Sequence, residues 1–190
     1  MLSRTASNLF WMGRHLERAE TAARLLDVGQ RITLLPNTEA GYQNEWNSLL
    51  QASGSSDLFA QKYGEITQEN IEEFIFFDRA NPSSVASCLE KAREAGRIVR
   101  TALTSQVWDA LNVAFQELRR IERQPRAKLD TAGLTDFTTG HTSTVRGAIN
   151  ATQLRNDGWH FMNLGYGLER ADATARLLDD KYFVLLPRIE

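Results

Sequence analysis

Two acidic pairs in this chain have a spacing that could do chemistry. Glu17 and Glu20 lie three residues apart, and so do Glu169 and Asp172. Residues three apart share one face of a helix. Four carboxylates from two facing helices make an oxygen-rich set of the kind that Mg²⁺ or Mn²⁺ takes, the chemistry of a metal-dependent hydrolase or transferase. Their neighbours argue the other way. Arg24 follows Glu20 by four residues and Arg176 follows Asp172 by four, a spacing at which opposite charges pair along a helix. The Glu-x-x-His pattern of di-iron bundles is absent, since no glutamate is followed three residues later by a histidine. No bound metal and no cofactor is expected on this reading.

Other chemistry-bearing residues are isolated. His15, His141 and His160 share no ligand-like spacing. Cys88 is the only cysteine, which excludes an internal disulfide and a thiolate zinc site. It falls near the apolar face of its segment and reads as a buried thiol. Trp11, Trp46, Trp108 and Trp159 read as core or interface anchors. No glycine-rich phosphate loop is present, and nothing in the sequence suggests a Ser-His-Asp arrangement. Gly165 and Gly167 lie inside a helical pattern, where they allow close packing.

The acidic pairs sit in stretches that nearly repeat. "HLERAETAARLLD" occupies 15–27 and "GLERADATARLLD" occupies 167–179. The apolar stripe Leu9, Met12, Leu16, Ala19, Ala23, Leu26 recurs as Phe161, Leu164, Leu168, Ala171, Ala175, Leu178, always 152 positions later, and Gly13 recurs as Gly165. Spacings of three and four are the helical period. On a wheel of about 100° per residue, Glu17, Glu20, Arg24 and Asp27 share a flank, while Arg18 and Arg170 point about 100° away. Trp11, Leu25 and Leu177 add apolar character to the far side. A helix apolar on more than one side is buried, so the reading is two similar helices side by side at a bundle centre, the charges of one satisfying those of the other.

The rest of the chain is helical by the same period. Val85, Leu89, Ala92, Ala95, Val99 and Ala102 form one face after a start signal at Asn81-Pro82, and Trp108, Leu111, Phe115 and Leu118 another, with Ser105 as a second cap. "EAGYQNEWNSLLQ" and "QENIEEFIFF" read as shorter helices, and "HTSTVRGAINATQL" as helix too. "ASGSSD" and "PRAKLDTAGLTD" read as loops. The expected fold is all-α: a bundle of about six or seven helices in one domain over 1–190, a length able to bury a sizeable core.

Composition narrows the function class. With 22 basic and 24 acidic residues, net charge −2, the chain lacks the basic excess of a nucleic-acid binder or a partner for anionic membrane surfaces. The N-terminus has no secretory pattern, and no apolar run approaches membrane-spanning length. A cytoplasmic location is expected.

These stretches resemble the bacterial alpha-E domain family, an α-helical domain with a shared Glu-Arg motif. The resemblance rests on "LSRTASNLFWMGRHLERAETAARLLD", "FDRANPSSVASCLEKAREAGRIVRTALTSQVWDALN" and "GWHFMNLGYGLERADATARLLDDKYFVLLP", about half the chain. It maps the motif onto Glu17-Arg18 and Glu169-Arg170, extends it to Glu20, Arg24, Asp172 and Arg176, and adds Asn81, Pro82, Ser83 and Ser84. The family's biochemical function is not established. The resemblance implies a peptide-modification context, with an ATP-grasp-type ligase or a transglutaminase-like protein as partner and this chain as a non-catalytic accessory or scaffold. A homo-oligomeric scaffold without a ligand is the alternative. Members usually continue with more helices beyond the counterpart of Leu185–Pro187, so a chain ending at Glu190 reads as a short or truncated version. An apolar surface at Tyr182, Phe183, Val184, Leu185 and Leu186 is then expected to self-associate or bind the partner.

Overall fold

The computed structural model describes residues 1–33 and 39–185, with side chains described over 1–31 and 46–179. The fold is all-α. Among the described residues there are eight α-helices and no strand: α1 (Ser3–Thr33), α2 (Glu39–Ala52), α3 (Ser56–Lys62), α4 (Gln68–Glu72), α5 (Val85–Ile98), α6 (Ser105–Glu122), α7 (Thr131–Thr152) and α8 (Asp157–Leu185). A π-helical turn, Glu73–Phe77, continues α4, and short 3₁₀ turns precede α6 and α7.

The helix starts have chemical causes. Ser84, Thr104 and Asp130 each accept a hydrogen bond from a backbone N–H three residues on, opening α5, α6 and α7, which satisfies a donor the helix itself leaves unpaired. These caps correct three sequence expectations. Ser84, not Asn81, caps α5, and Thr104, not Ser105, caps α6. "TAGLTD" is helix and not loop, because the Asp130 cap starts α7 directly. Asn81 instead folds the preceding turn: its amide donates to the Phe74 carbonyl at 3.0 Å and its side-chain oxygen accepts from Ser83 N–H at 2.9 Å. Asp78 anchors the same turn by accepting from Lys62 Nζ at 2.6 Å, Tyr63 Oη at 3.1 Å and Ala80 N–H at 2.9 Å.

The core forms around α1, which packs against α5, α7 and α8. Leu9, Met12, Leu16, Ala19, Ala23 and Leu26 are buried completely or nearly so. Each of the larger four stabilises the fold by about 1.5–3 kcal/mol on burial. A second part of the core joins Phe59, Tyr63 and Phe74, whose rings stack or meet edge to face at centroid distances of 5.2–5.8 Å. The burial expected of both similar stripes holds for α1 alone: on α8, Phe161, Leu164, Leu168 and Leu178 are exposed. What α8 turns inward is Met162, Gly165, Tyr166 and Glu169. The apolar surface expected at Tyr182 to Leu186 lies outside the described side chains.

Candidate functional site

α1 and α8 meet at two glycines. A methyl group on Gly13 would fall within 3.0 Å of the Met162 carbonyl oxygen, and one on Gly165 within 3.0 Å of the Phe10 carbonyl oxygen. Without side chains there, the backbones come close together, and charged side chains on either side of the contact reach across. Contacts along the two helices, from Phe10 against Gly165 to Glu17 against Arg170, keep an offset near 152 residues. The helices therefore run side by side in the same direction.

The Glu-Arg pairs bridge this seam reciprocally. Arg18 donates to Glu169 through Nε at 2.6 Å and a terminal nitrogen at 3.0 Å. Arg170 donates to Glu17 in the same two-pronged way, at 2.7 and 3.0 Å. Planar two-bond pairing of this kind is specific to arginine. The wheel reading that sent Arg18 and Arg170 away from the acidic flank is right for each helix alone. Across the seam, each arginine reaches the glutamate of the other helix.

Each glutamate then takes a second arginine, from a different place. Arg14 of α1 donates to Glu169 at 2.6 Å. Arg146 of α7 donates to Glu17 at 2.9 Å and to Glu20 at 2.6 Å. Glu20 also accepts from Arg24 at 2.7 Å and from the Thr142 hydroxyl at 3.1 Å. Tyr166 stands where the offset would place a counterpart of Arg14, and the Arg146 guanidinium lies over its ring, 5.0 Å from the centroid. Among the described residues Asp172 pairs with Arg176, at 3.2 Å, and both side chains are about half exposed. Asp27 pairs with Arg31.

This surrounding sets the protonation states. Burial pushes the Glu169 carboxyl up, but hydrogen bonds and charge from Arg18 and Arg14 outweigh it and hold the group below its ordinary range. Glu20 is held down likewise: the burial penalty is overcome by Arg24, Arg146 and Thr142. The Arg18 guanidinium, in spite of burial, is held more firmly protonated by Glu169. Nearby, burial and then the charges of Arg18 and Lys91 lower His15 to about 4, so its ring is neutral at pH 7. Burial raises the Cys88 thiol to about 12, which removes the thiolate a nucleophile needs. Cys88 sits fully buried behind the Asn81–Ser84 turn, its sulfur 3.7 Å from the Pro82 carbonyl oxygen.

Two concavities flank the seam. One, of about 210 Å³, lies between Arg18, Glu169, Asp172 and Arg176 on one side and Gly54, Asn81 and Ser83 on the other. Of the residues singled out from sequence, Arg18, Glu169, Asp172, Arg176, Asn81 and Ser83 line this concavity, while Pro82 does not. The other is an open groove of about 640 Å³ along Glu17, Glu20, Arg24, Arg146 and Arg170, with Leu25, Leu49 and Leu177 in its floor. Among the described residues, no three His, Cys, Asp or Glu side chains converge in the way a metal needs. Sequence reasoning missed Arg14, Arg146 and Thr142. The polar row Thr138, Thr142, Arg146, at a spacing of four on one face of α7, was the available signal.

Over residues 1–190 the chain matches the family described as Alpha-E, "a predicted alpha-helical domain with a conserved ER motif". The chain belongs to the Alpha-E family. Its two Glu-Arg dipeptides at the seam, Glu17-Arg18 and Glu169-Arg170, are where that description meets the structure. Uncharacterised proteins of Mycobacterium bovis and of Mycobacterium tuberculosis (strain CDC 1551) are each 24% identical over 183 residues, covering 88% of this chain and 21% of the relative. A third, from M. tuberculosis H37Rv, is 23% identical over the same length. The chain thus spans about a fifth of the length of these relatives. No solved structure matches it. Among the described residues, no helix is long and apolar enough to cross a membrane.

Proposed function

We propose that this Alpha-E chain is a non-catalytic helical accessory, acting in the cytoplasm as a scaffold for a peptide-modification system. The partner class is an ATP-grasp-type ligase or a transglutaminase-like protein, as the family context implies. One observation carries the non-catalytic part: Glu17, Glu20 and Glu169 are each committed to two arginines. A general base must be able to take a proton near working pH, and a metal ligand needs unshared oxygens. Carboxylates whose oxygens are taken up by paired guanidiniums are poorly placed for either task, but they fix two helices in one register. Two further reactive side chains near the seam are unsuited as well, since burial keeps the Cys88 thiol protonated and holds the His15 ring neutral down to about 4.

The test uses the intact chain with and without an ATP-grasp-type ligase or a transglutaminase-like protein from the same organism. Alone, with ATP, Mg²⁺ or Mn²⁺ and peptide, it turns over nothing. With the partner it forms a complex at micromolar concentration. Metal-dependent hydrolysis or transfer by the chain alone, abolished in Glu20→Gln, would overturn this reading in favour of the acidic-pair enzyme.

A further inference from the structure

Three departures from regular helix wall the concavity beside Arg18 and Glu169. Gly54, in the left-handed region at φ 69°, lies in the turn between α2 and α3, a conformation that suits glycine. A methyl group there would fall 2.7 Å from a terminal nitrogen of Arg176, so the bare glycine gives that guanidinium room to lie against the turn. The π-helical turn Glu73–Phe77 supplies Ile75 to the wall, and π-turns recur at functional sites. The buried Asn81 amide ties the Phe74 carbonyl of that turn to the next one, which supplies Ser83.

The charges that line it balance, Arg18 and Arg176 against Glu169 and Asp172, but the two pairs differ in kind. Arg18 holds Glu169 with two nitrogens, at 2.6 and 3.0 Å, and that pair belongs to the seam. Its third nitrogen has no partner among the described residues. Arg176 meets Asp172 through Nε alone, at 3.2 Å, between side chains 49% and 44% exposed. Exposed pairs contribute about 0–1 kcal/mol, so this one opens at little cost. Opened, it offers a planar guanidinium fork beside a carboxylate. A ligand bearing only a carboxylate would leave Asp172 unpaired, and one bearing only an ammonium would leave Arg176 unpaired. A ligand bearing both satisfies both, and the balanced lining disfavours a dianion such as phosphate. The rest of the wall is largely aliphatic, with Ala22, Leu25, Ile75, Ala173 and Leu177. Its volume of about 210 Å³ lies below the roughly 300 Å³ at which sites for drug-sized ligands begin.

We propose that this concavity binds a small aliphatic α-amino acid as its zwitterion. Arg176 takes the carboxylate in its planar fork, helped by the third nitrogen of Arg18, and Asp172 takes the ammonium. The aliphatic side chain lies against Leu25, Ile75 and Leu177. The ligand replaces one loose pair within α8 by two pairs, and it joins α8 to the turns around Gly54 and Ser83. This site goes beyond the accessory role and needs no partner protein.

The test is an NMR titration of the isotopically labelled full chain with L-alanine, L-valine and L-leucine. Each is run beside its N-acetyl and its carboxamide analogue, which lack one of the two charges. The expected result is a saturable shift of the Gly54 and Ser83 amides with at least one of the three amino acids. Its dissociation constant is about 1 mM or below, within what so few atoms allow. Both of its analogues bind at least about tenfold more weakly, the loss of one charged partner. Arg176→Gln and Asp172→Asn, at half-exposed side chains, weaken binding by a similar factor with Tm unchanged. Arg24→Gln, in the neighbouring groove, leaves it as it was. No saturable shift with any of the three amino acids overturns the proposal. So does an N-acetyl analogue that binds as well as its parent, which would assign the site to a peptide C-terminus. Loss of binding in Arg24→Gln but not in Arg176→Gln also overturns it, by moving the site to the groove. The accessory reading stands or falls separately, on complex formation with the partner.

Discussion

Gly165→Ala is the sharpest perturbation of the seam. The added methyl would lie within 3.0 Å of the Phe10 carbonyl oxygen and 3.1 Å from the Arg14 backbone nitrogen, against 3.4–4 Å for ordinary contact. Both neighbours are backbone of a buried helix, so neither can rotate away. α8 must back off, and the Arg18–Glu169 and Arg170–Glu17 bonds at 2.6–2.7 Å lengthen with it. Overpacking costs about 1–3 kcal/mol, and weakening charge-assisted hydrogen bonds adds about 1.5–3 kcal/mol. The better helix propensity of alanine returns about 1 kcal/mol. The net loss is about 3 kcal/mol, a fall in Tm of roughly 6–12 °C for a chain of this size. Gly167→Ala is the matched control: nothing lies within 4 Å of its added methyl, so it gains about 0.5–1 kcal/mol. Thermal unfolding followed by circular dichroism measures both. A Gly165→Ala protein melting within 2 °C of Gly167→Ala would refute close backbone approach as the basis of the seam.

Removing Arg18 should cost more than removing Arg170. The Arg18 side chain is 24% exposed and that of Arg170 60%, so about 2–3 kcal/mol is expected for Arg18→Ala and under 1.5 kcal/mol for Arg170→Ala from exposure-weighted charge pairing, measured by denaturant unfolding. Stability should also fall as the pH drops from 6.5 toward 4, because His15 stays neutral in the folded chain down to about 4 but takes up a proton below 6.5 once unfolded. His15→Gln should flatten the Tm profile in that window. Glu169 and Glu20 act lower: their folded values lie below 4.5, so their stabilisation is complete above that pH and is lost as the pH falls through the folded values. Glu20→Gln should remove part of that acid-side slope. Cys88 should react with thiol reagents only at the rate of global unfolding, as mass spectrometry of pulse-labelled protein would show.

The helices were legible where a local rule decides them. The α1 stripe follows from its period, and the Glu20–Arg24 pair from a spacing of four. What escaped depends on other elements. Arg18 looks misplaced on its own helix because its partner Glu169 belongs to the neighbour. Arg146 meets Glu17 and Glu20 from more than a hundred residues away, where no spacing rule reaches. The α8 stripe read as core because periodicity reports that a face is apolar and says nothing of what covers it. Asn81 looked like a cap because asparagine before proline commonly starts a helix, yet its amide closes a turn onto Phe74 and leaves the cap to Ser84. The Glu-Arg residues of the seam were named from sequence, Arg14 was not, and the roles of all of them needed the register between α1 and α8.

The central claim is that the Glu-Arg motif is a clamp between two helices. A double-mutant cycle with Arg18→Ala, Glu169→Gln and the pair measures that clamp directly. The account predicts a coupling of about 2–3 kcal/mol, because the double variant removes the charge that each single variant leaves without its partner. A coupling below about 0.5 kcal/mol, the additivity expected of independent sites, would contradict it.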